Sequence, residues 1–202
     1  MDMIRYIHTY GITQSMYKVA CTRFNNTTWG ENADWRRRHN HPGCIYGSPT
    51  DITETTTTAT STVFVIEMNN DANRVMGVGK LVISAGAGVS STSTTNSKLN
   101  GRVRADGRVF NVYNSRNYNR YKFVGSERVD RETEIETDPN PALARVFARL
   151  DSVLFRSARH CKRGQGIQSI PKWISAAAER RCNYLLWRFF KELFDRKTNN
   201  IK

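Results

Sequence analysis

No apolar run in the chain approaches the roughly 20 residues that a bilayer-spanning helix requires, so no helical membrane span is expected. The opening residues, MDMIRYIHTYGITQ, show neither a charged start followed by an apolar block nor a small-residue cleavage site, and they do not read as a signal peptide. Cysteine is scarce, 4 in 202 residues, and Cys21, Cys44, Cys161 and Cys182 form no C-x-x-C pair. A chain of this length can enclose one core without a disulfide scaffold, so an intracellular, reduced protein is expected. Catalytic signatures are missing as well. There is no Gly-x-Ser-x-Gly elbow and no His-Glu-x-x-His, and the GVGKL of Gly77 to Leu81 lacks the length and the hydroxyl of a phosphate-binding loop. No paired-carboxylate motif is evident either, and the expectation is a protein that is not an enzyme and carries no cofactor.

Acids are the scarcest class relative to their counterparts: 18 Asp and Glu stand against 31 Lys and Arg, a formal charge of +13. Such an excess attracts polyanions, and solubility alone would need far less. Arg102, Arg104, Arg108, Arg116, Arg120, Lys122, Arg128 and Arg131 crowd one region, and Arg156, Arg159, Lys162, Arg163 and Lys172 another. Nucleic acid is the expected partner, with a basic surface facing solvent or an acidic protein as the alternative.

What the sequence does contain is organised around Val63 to Leu81, VFVIEMNNDANRVMGVGKL. Two apolar runs flank a polar turn, which predicts a β-hairpin whose first strand is buried on both faces. Gly77 and Gly79 bare one face of the return strand, so something should pack closely there. Upstream, Tyr17 to Cys21 alternates weakly as a first strand, and Cys44 to Tyr46 follows a Pro-Gly turn as another. Between them lies WGENADWRRRHNHPGC. Trp29 and Trp35 are six apart, not a same-face helical spacing, so Trp29 fits a loop while Asp34 to His39 begins a short helix. These indoles either stack on bases, with Arg36, Arg37 and Arg38 on phosphates, or belong to the core. His39, His41 and Cys44 are zinc-type ligands, and Cys21 or Asp34 would have to complete the set in space; the spacing matches no specific metal motif, and none is assigned.

The Thr-rich stretch 49–62 and the Ser/Gly-rich stretch 84–101 read as surface loops. After them, Arg102 to Arg104 and Arg108 to Tyr113 flank an Asp106-Gly107 turn, a second hairpin, and Tyr118 to Val124 alternates as a further strand closed by Gly125. The strand count reaches five or six. Asn140 and Pro141 start an amphipathic helix on Leu143, Val146, Phe147, Leu150, Val153 and Leu154, ending near His160. The glycines of Arg163-Gly164-Gln165-Gly166 stop it or, beside Lys162 and Arg163, form an anion nest. A last helix from about Pro171 turns Ile174, Ala178, Leu185, Leu186, Phe189, Phe190 and Leu193 inward, with an apolar face broad enough for the core or a protein partner.

The hairpin motif resembles the strand-turn-strand of the PUA-like superfamily, especially YTH and EVE domains, and TTWGENADWRRRHN before GCIYGSP is similar to the Trp-containing segment that precedes it there. The resemblance covers about a third of the chain. It implies nucleic-acid binding, with a base held in an aromatic pocket formed by Trp29, Trp35 and Met68 to Asn70. The blocks CIYGSP, VFVIEMNNDANRVMGVGKL, YNRYKFVGSERVDRE and HCKRGQGIQSIP also resemble a poorly characterised family of large double-stranded DNA viruses, which implies a virion structural or genome-associated role. The combined expectation is one α+β domain. Residues 1–138 form a small twisted PUA-like β-barrel and 139–202 a helical segment packed on it. Phosphates fall to Arg36, Arg37, Arg38, Arg102, Arg104, Arg108, Arg116, Arg120, Lys122, Lys162 and Arg163, with Arg128 and Arg131 in the same basic run. Bases fall to Trp29, Trp35, Tyr46, Asn69, Asn70 and Tyr118.

Overall fold

The computed structural model describes residues 18–47, 61–83, 101–104, 112–114, 121–137, 140–155, 166–169 and 179–199. Strand β1 (Lys18–Phe24) leads into helix α1 (Asn26–Arg38), then β2 (Cys44–Gly47), β3 (Ser61–Asn69) and β4 (Arg74–Ile83). Next come β5 (Gly101–Arg104), β6 (Tyr121–Gly125), β7 (Glu127–Asp130), a π-helical turn (Glu132–Thr137), α2 (Pro141–Leu154), β8 (Ile167–Ser169) and α3 (Glu179–Asn199). The class is α+β.

The predicted central hairpin is β3–β4, and it lies inside a five-stranded sheet of order β7-β4-β3-β1-β8. Strand β1 runs parallel to β3, Lys18 opposite Val63, because the chain crosses over through α1 between them. Asn69 closes the turn. Its Oδ1 accepts the amides of Asp71 and Ala72, at 3.0 and 3.2 Å, and Asn73 takes the left-handed conformation at φ 50°. A register shift between Glu67 and Met68 marks a bulge in the pair.

Strand parity then separates two cores. Val19, Cys21, Phe64, Ile66, Met68, Val78 and Val129 face α2 and α3, meeting Leu143, Phe147, Leu150, Leu154, Phe190 and Phe194. Ala20, Phe24, Val63, Val65 and Leu81 face the other way, onto Trp35 of α1 and onto Cys44, Ile45, Tyr46 and Val124 of a second sheet, β2-β6-β5. The near-continuous apolar run of β3 is thus explained: both its faces are covered.

Several expectations are corrected. Among the described residues there are eight strands and two separate sheets, with no closed barrel. The chain stacks the small sheet on the large one and lets β8, from the segment expected to be helical, pair antiparallel with β1. Strand β5 pairs with β6 rather than being described in a hairpin with 108–113, and its 105–107 turn lies outside the described residues. Val112 and Tyr113 are buried without strand structure. Ser61, Thr62 and Gly101, placed in the two low-complexity loops, belong to β3 and β5; the remainder of those loops lies outside the described residues. Helix α2 starts as expected, Asn140 Oδ1 accepting the Leu143 amide at 3.1 Å, but it ends at Leu154, where its apolar stripe gives way to Arg156-Ser157-Ala158-Arg159. On α3, Leu185 is exposed at 53%, since the buried stripe runs through Phe190, Leu193 and Phe194. Ile174 and Ala178 lie outside the described residues, as do residues 163–165. No described helix is long and apolar enough to cross a membrane.

Candidate nucleic-acid interface

Helix α1 carries most of the candidate residues, and its start is fixed locally. Asn25 Oδ1 accepts the Thr28 amide at 2.8 Å while Thr28 Oγ1 accepts the Asn25 amide at 3.0 Å, a reciprocal capping box. The helix therefore begins at Asn26, eight residues earlier than expected, and Trp29 belongs to it rather than to a loop. Turning at 3.6 residues, it sends Trp29, Asn32, Trp35 and Arg36 toward the sheets and leaves Arg37 and Arg38 exposed.

The two tryptophans differ in how far they are enclosed. Trp35 is 5% exposed, stacked on His39 with ring centroids 4.3 Å apart and met edge-on by His41 at 5.7 Å. Trp29 is half-buried, with the Phe24 ring 5.2 Å away and two guanidinium carbons, of Arg36 and Arg128, at 5.7 and 5.4 Å from its centroid. Both imidazoles also bond backbone. His39 Nδ1 lies 2.8 Å from Trp35 O and His41 Nε2 3.3 Å from Cys44 O, so they and Cys44 do not converge on a metal position. Among the described residues no three His, Cys, Asp or Glu side chains are grouped as ligands. Burial pushes the Cys44 thiol up to about 12 and Cys21 up to about 11, and both remain protonated thiols in the core.

Tyr46 is likewise interior, and its hydroxyl donates to Glu67 Oε1 at 3.0 Å. Burial, reinforced by the acidic neighbours Cys44 and Glu67, holds its phenol well above the ordinary value. The space above Gly77 and Gly79 is filled from within. A Cβ on Gly79 would sit 1.9 Å from Tyr46 Oη, and one on Gly77 would sit 2.7 Å from Glu67 Oε2 and 2.8 Å from Arg128 Nη2. The close packing expected at these glycines is the protein's own tyrosine and ion pair.

That ion pair escaped the sequence reading, which placed Arg128 in the basic run assigned to phosphates. Glu67 and Arg128 side chains are 1% and 4% exposed, joined at 2.8 Å through both Nε and Nη2, and Arg128 Nη1 also bonds Asp130. Burial opposes the charge on Arg128, but the two carboxylates outweigh it and raise its pKa; the same contact holds Asp130 below the usual carboxylate range against its own burial. Arg131 is also withdrawn from the surface, bonded to Asp151 Oδ2 at 2.8 Å and to Val75 O at 2.9 Å. The signal for the first pair was legible: one glutamate inside an otherwise apolar strand must meet a cation. Asn32 and Tyr113 were missed too. Asn32 Nδ2 donates to Ile45 O at 2.7 Å, lies 2.8 Å from Tyr113 Oη, and its Oδ1 accepts Arg36 Nε at 3.0 Å.

Asn69 spends its side chain on the turn and on Asn26 Oδ1, 3.1 Å away, which ties the hairpin to α1, and the backbone amide of Asn70 donates to Phe24 O at 2.8 Å, which ties it to the end of β1. Of the basic candidates, Arg37 is exposed and paired with Asp34 at 2.9 Å, and Arg38 Nε reaches Asp34 O at 3.4 Å. The β5–β6 ladder sets Val103 opposite Lys122, and Arg102 and Arg104 opposite Phe123 and Tyr121, so by strand alternation Lys122 falls on one face of the small sheet and the two arginines on the other. Arg108, Arg116, Tyr118, Arg120, Lys162 and Arg163 lie outside the described residues. No family model, no curated protein and no solved structure matches this chain.

Proposed function

We propose that the protein binds nucleic acid through its phosphates and catalyses no reaction on it. The observation that carries this reading is where the acids go. The described ion pairs tie seven carboxylates, of Asp34, Glu67, Glu127, Asp130, Asp151, Glu192 and Asp195, to six cations. Internal pairing therefore spends acids at least as fast as bases, and the excess of +13 is left for an outside polyanion. Arg102 and Arg104, two residues apart on β5, and the exposed Arg37 and Arg38 closing α1 give that excess local points of contact. The likeness of the hairpin to PUA-like domains supports the same reading over the hairpin. Base recognition by Trp35 and Tyr46 forms no part of it, because both side chains are enclosed.

Titration of fluorescent single- and double-stranded oligonucleotides at two salt concentrations tests the proposal. Affinity for duplex should fall with a log–log slope of about −0.9 per phosphate contacted. Absence of binding at low salt, or binding indifferent to salt, would overturn it. A second reading, a virion structural protein that docks neighbouring subunits, is favoured by Tyr184 and Leu185, exposed at 41% and 53% on α3. Salt-resistant association with particles, without any shift of DNA or RNA in a gel, would select it.

A further inference from the structure

The two guanidiniums that meet at Trp29 are not equivalent. Arg128 is neutralised twice, by Glu67 and by Asp130. Among the described residues Arg36 has no carboxylate within ion-pair reach, Glu67 and Asp130 acting on it only from farther off; its one hydrogen bond there runs from Nε to Asn32 Oδ1, and its two terminal nitrogens make none. Yet it is half-buried, and it shares the same indole with a second cation, the two guanidinium carbons lying 5.7 and 5.4 Å from the ring centroid. Burial and then the charge of Arg128 push its pKa below the ordinary guanidinium value. A cation withdrawn from water beside another, without an acid of its own, is unfavourable unless an anion joins it.

The position is also pre-organised. Asn32 is itself 1% exposed, and its Nδ2 is locked by Ile45 O and the Tyr113 hydroxyl, so the Oδ1 that accepts Arg36 Nε is held in one orientation and the terminal fork with it. Trp29 supplies a flat support, itself packed at a steep angle against the Phe24 ring, 5.2 Å away. A guanidinium fork with both terminal nitrogens unspent matches the paired oxygens of a phosphate, and bidentate charge-assisted bonds of this kind are among the strongest available.

We propose that Arg36, seated on Trp29, held by Asn32 and backed by Arg128, forms a discrete site for one phosphate group. The inference rests on the nucleic-acid reading for the source of that phosphate, a backbone position of the bound strand, and it changes the role of Trp29 from base platform to support for the arginine. Arg37 and Arg38, one helical step away, contribute only unspecific charge.

The test uses the full chain and two probes. Inorganic phosphate is titrated against tryptophan fluorescence with chloride held constant. The wild type should give a saturable change that Arg145→Gln, at an exposed position of α2, retains, Arg36→Gln abolishes and Arg36→Lys weakens about tenfold, the loss of one charge-assisted hydrogen bond. The lysine variant keeps the charge and stands in should the glutamine variant fail to fold. With a single-stranded oligonucleotide, Arg36→Gln should lower the salt slope by about one contact. A wild type with no phosphate response, or one equal in all variants, overturns the site while oligonucleotide binding can still stand. Phosphate binding through Arg36 without oligonucleotide binding sustains the site and removes the nucleic acid as its source.

Discussion

Gly79 is the residue on which the packing between the two sheets turns. Tyr46 Oη occupies the volume its Cβ would need, 1.9 Å away, and Tyr46 cannot retreat because its hydroxyl is bonded to Glu67. Gly79→Ala should therefore destabilise the protein by about 1–3 kcal/mol or more, read as a lowered urea midpoint at unchanged slope. Glu67→Gln should lose about 3 kcal/mol, the lower end for breaking a buried pair, because Asp130 still faces Arg128. An unchanged midpoint in either variant would contradict the burial assigned to these groups. His41 acts through pH. Burial lowers its folded pKa below 6.5, so the unfolded chain binds the proton more readily. Its contribution is complete above 6.5 and is lost as pH falls below that value; His41→Gln should flatten this part of the stability profile. At this scale the sequence showed that two glycines needed a close neighbour. It did not show that Tyr46, from another sheet, fills the space over Gly79, or that Glu67 meets Arg128, 61 positions away along the chain.

Helix α1 illustrates what an element's boundary controls. Its capping box sets the first turn at Asn26, and the phase that follows decides that Asn32 and Arg36 point inward while Arg37 and Arg38 point out. Asn25→Ala should cost about 1 kcal/mol and lower the melting temperature by a few degrees without altering strand content by circular dichroism. Tryptophan spacing misled here. Six residues are no same-face interval on an ideal stripe, yet a helix wedged between a strand and a second sheet buries a wide arc, and that arc takes both indoles. Helices α2 and α3 were the most legible elements, since their apolar residues recur at helical period and Asn140-Pro141 punctuates the start of α2. Strands β7 and β8 were the least legible. One reads as charge, ERVD, and the other is three residues long, and both exist because a sheet edge was there to receive them.

For the whole molecule, β1 and β3 line both cores, one side chain after the next. Neither core can be lost while the other keeps its strands, so unfolding should be a single cooperative event. Variants retaining only Trp35, in the core under the small sheet, or only Trp187, which packs at 6.3 Å on Phe64 in the helical core, should report the same urea midpoint. Two separated midpoints would show that the faces unfold independently. The charge of +13 belongs to this scale as well, since it is a property of the sum and not of any one contact.

The sequence by itself determined the α+β class, the central hairpin, the two amphipathic helices and the basic surplus, because period, turn chemistry and charge are local or additive quantities. Only the tertiary structure decided which arginines are interior and which are free. A guanidinium's fate depends on whether a carboxylate is folded against it: Arg128 pairs with Glu67, from a strand distant in the chain, and with its near neighbour Asp130, while Arg36, seated on the same tryptophan, pairs with none among the described residues.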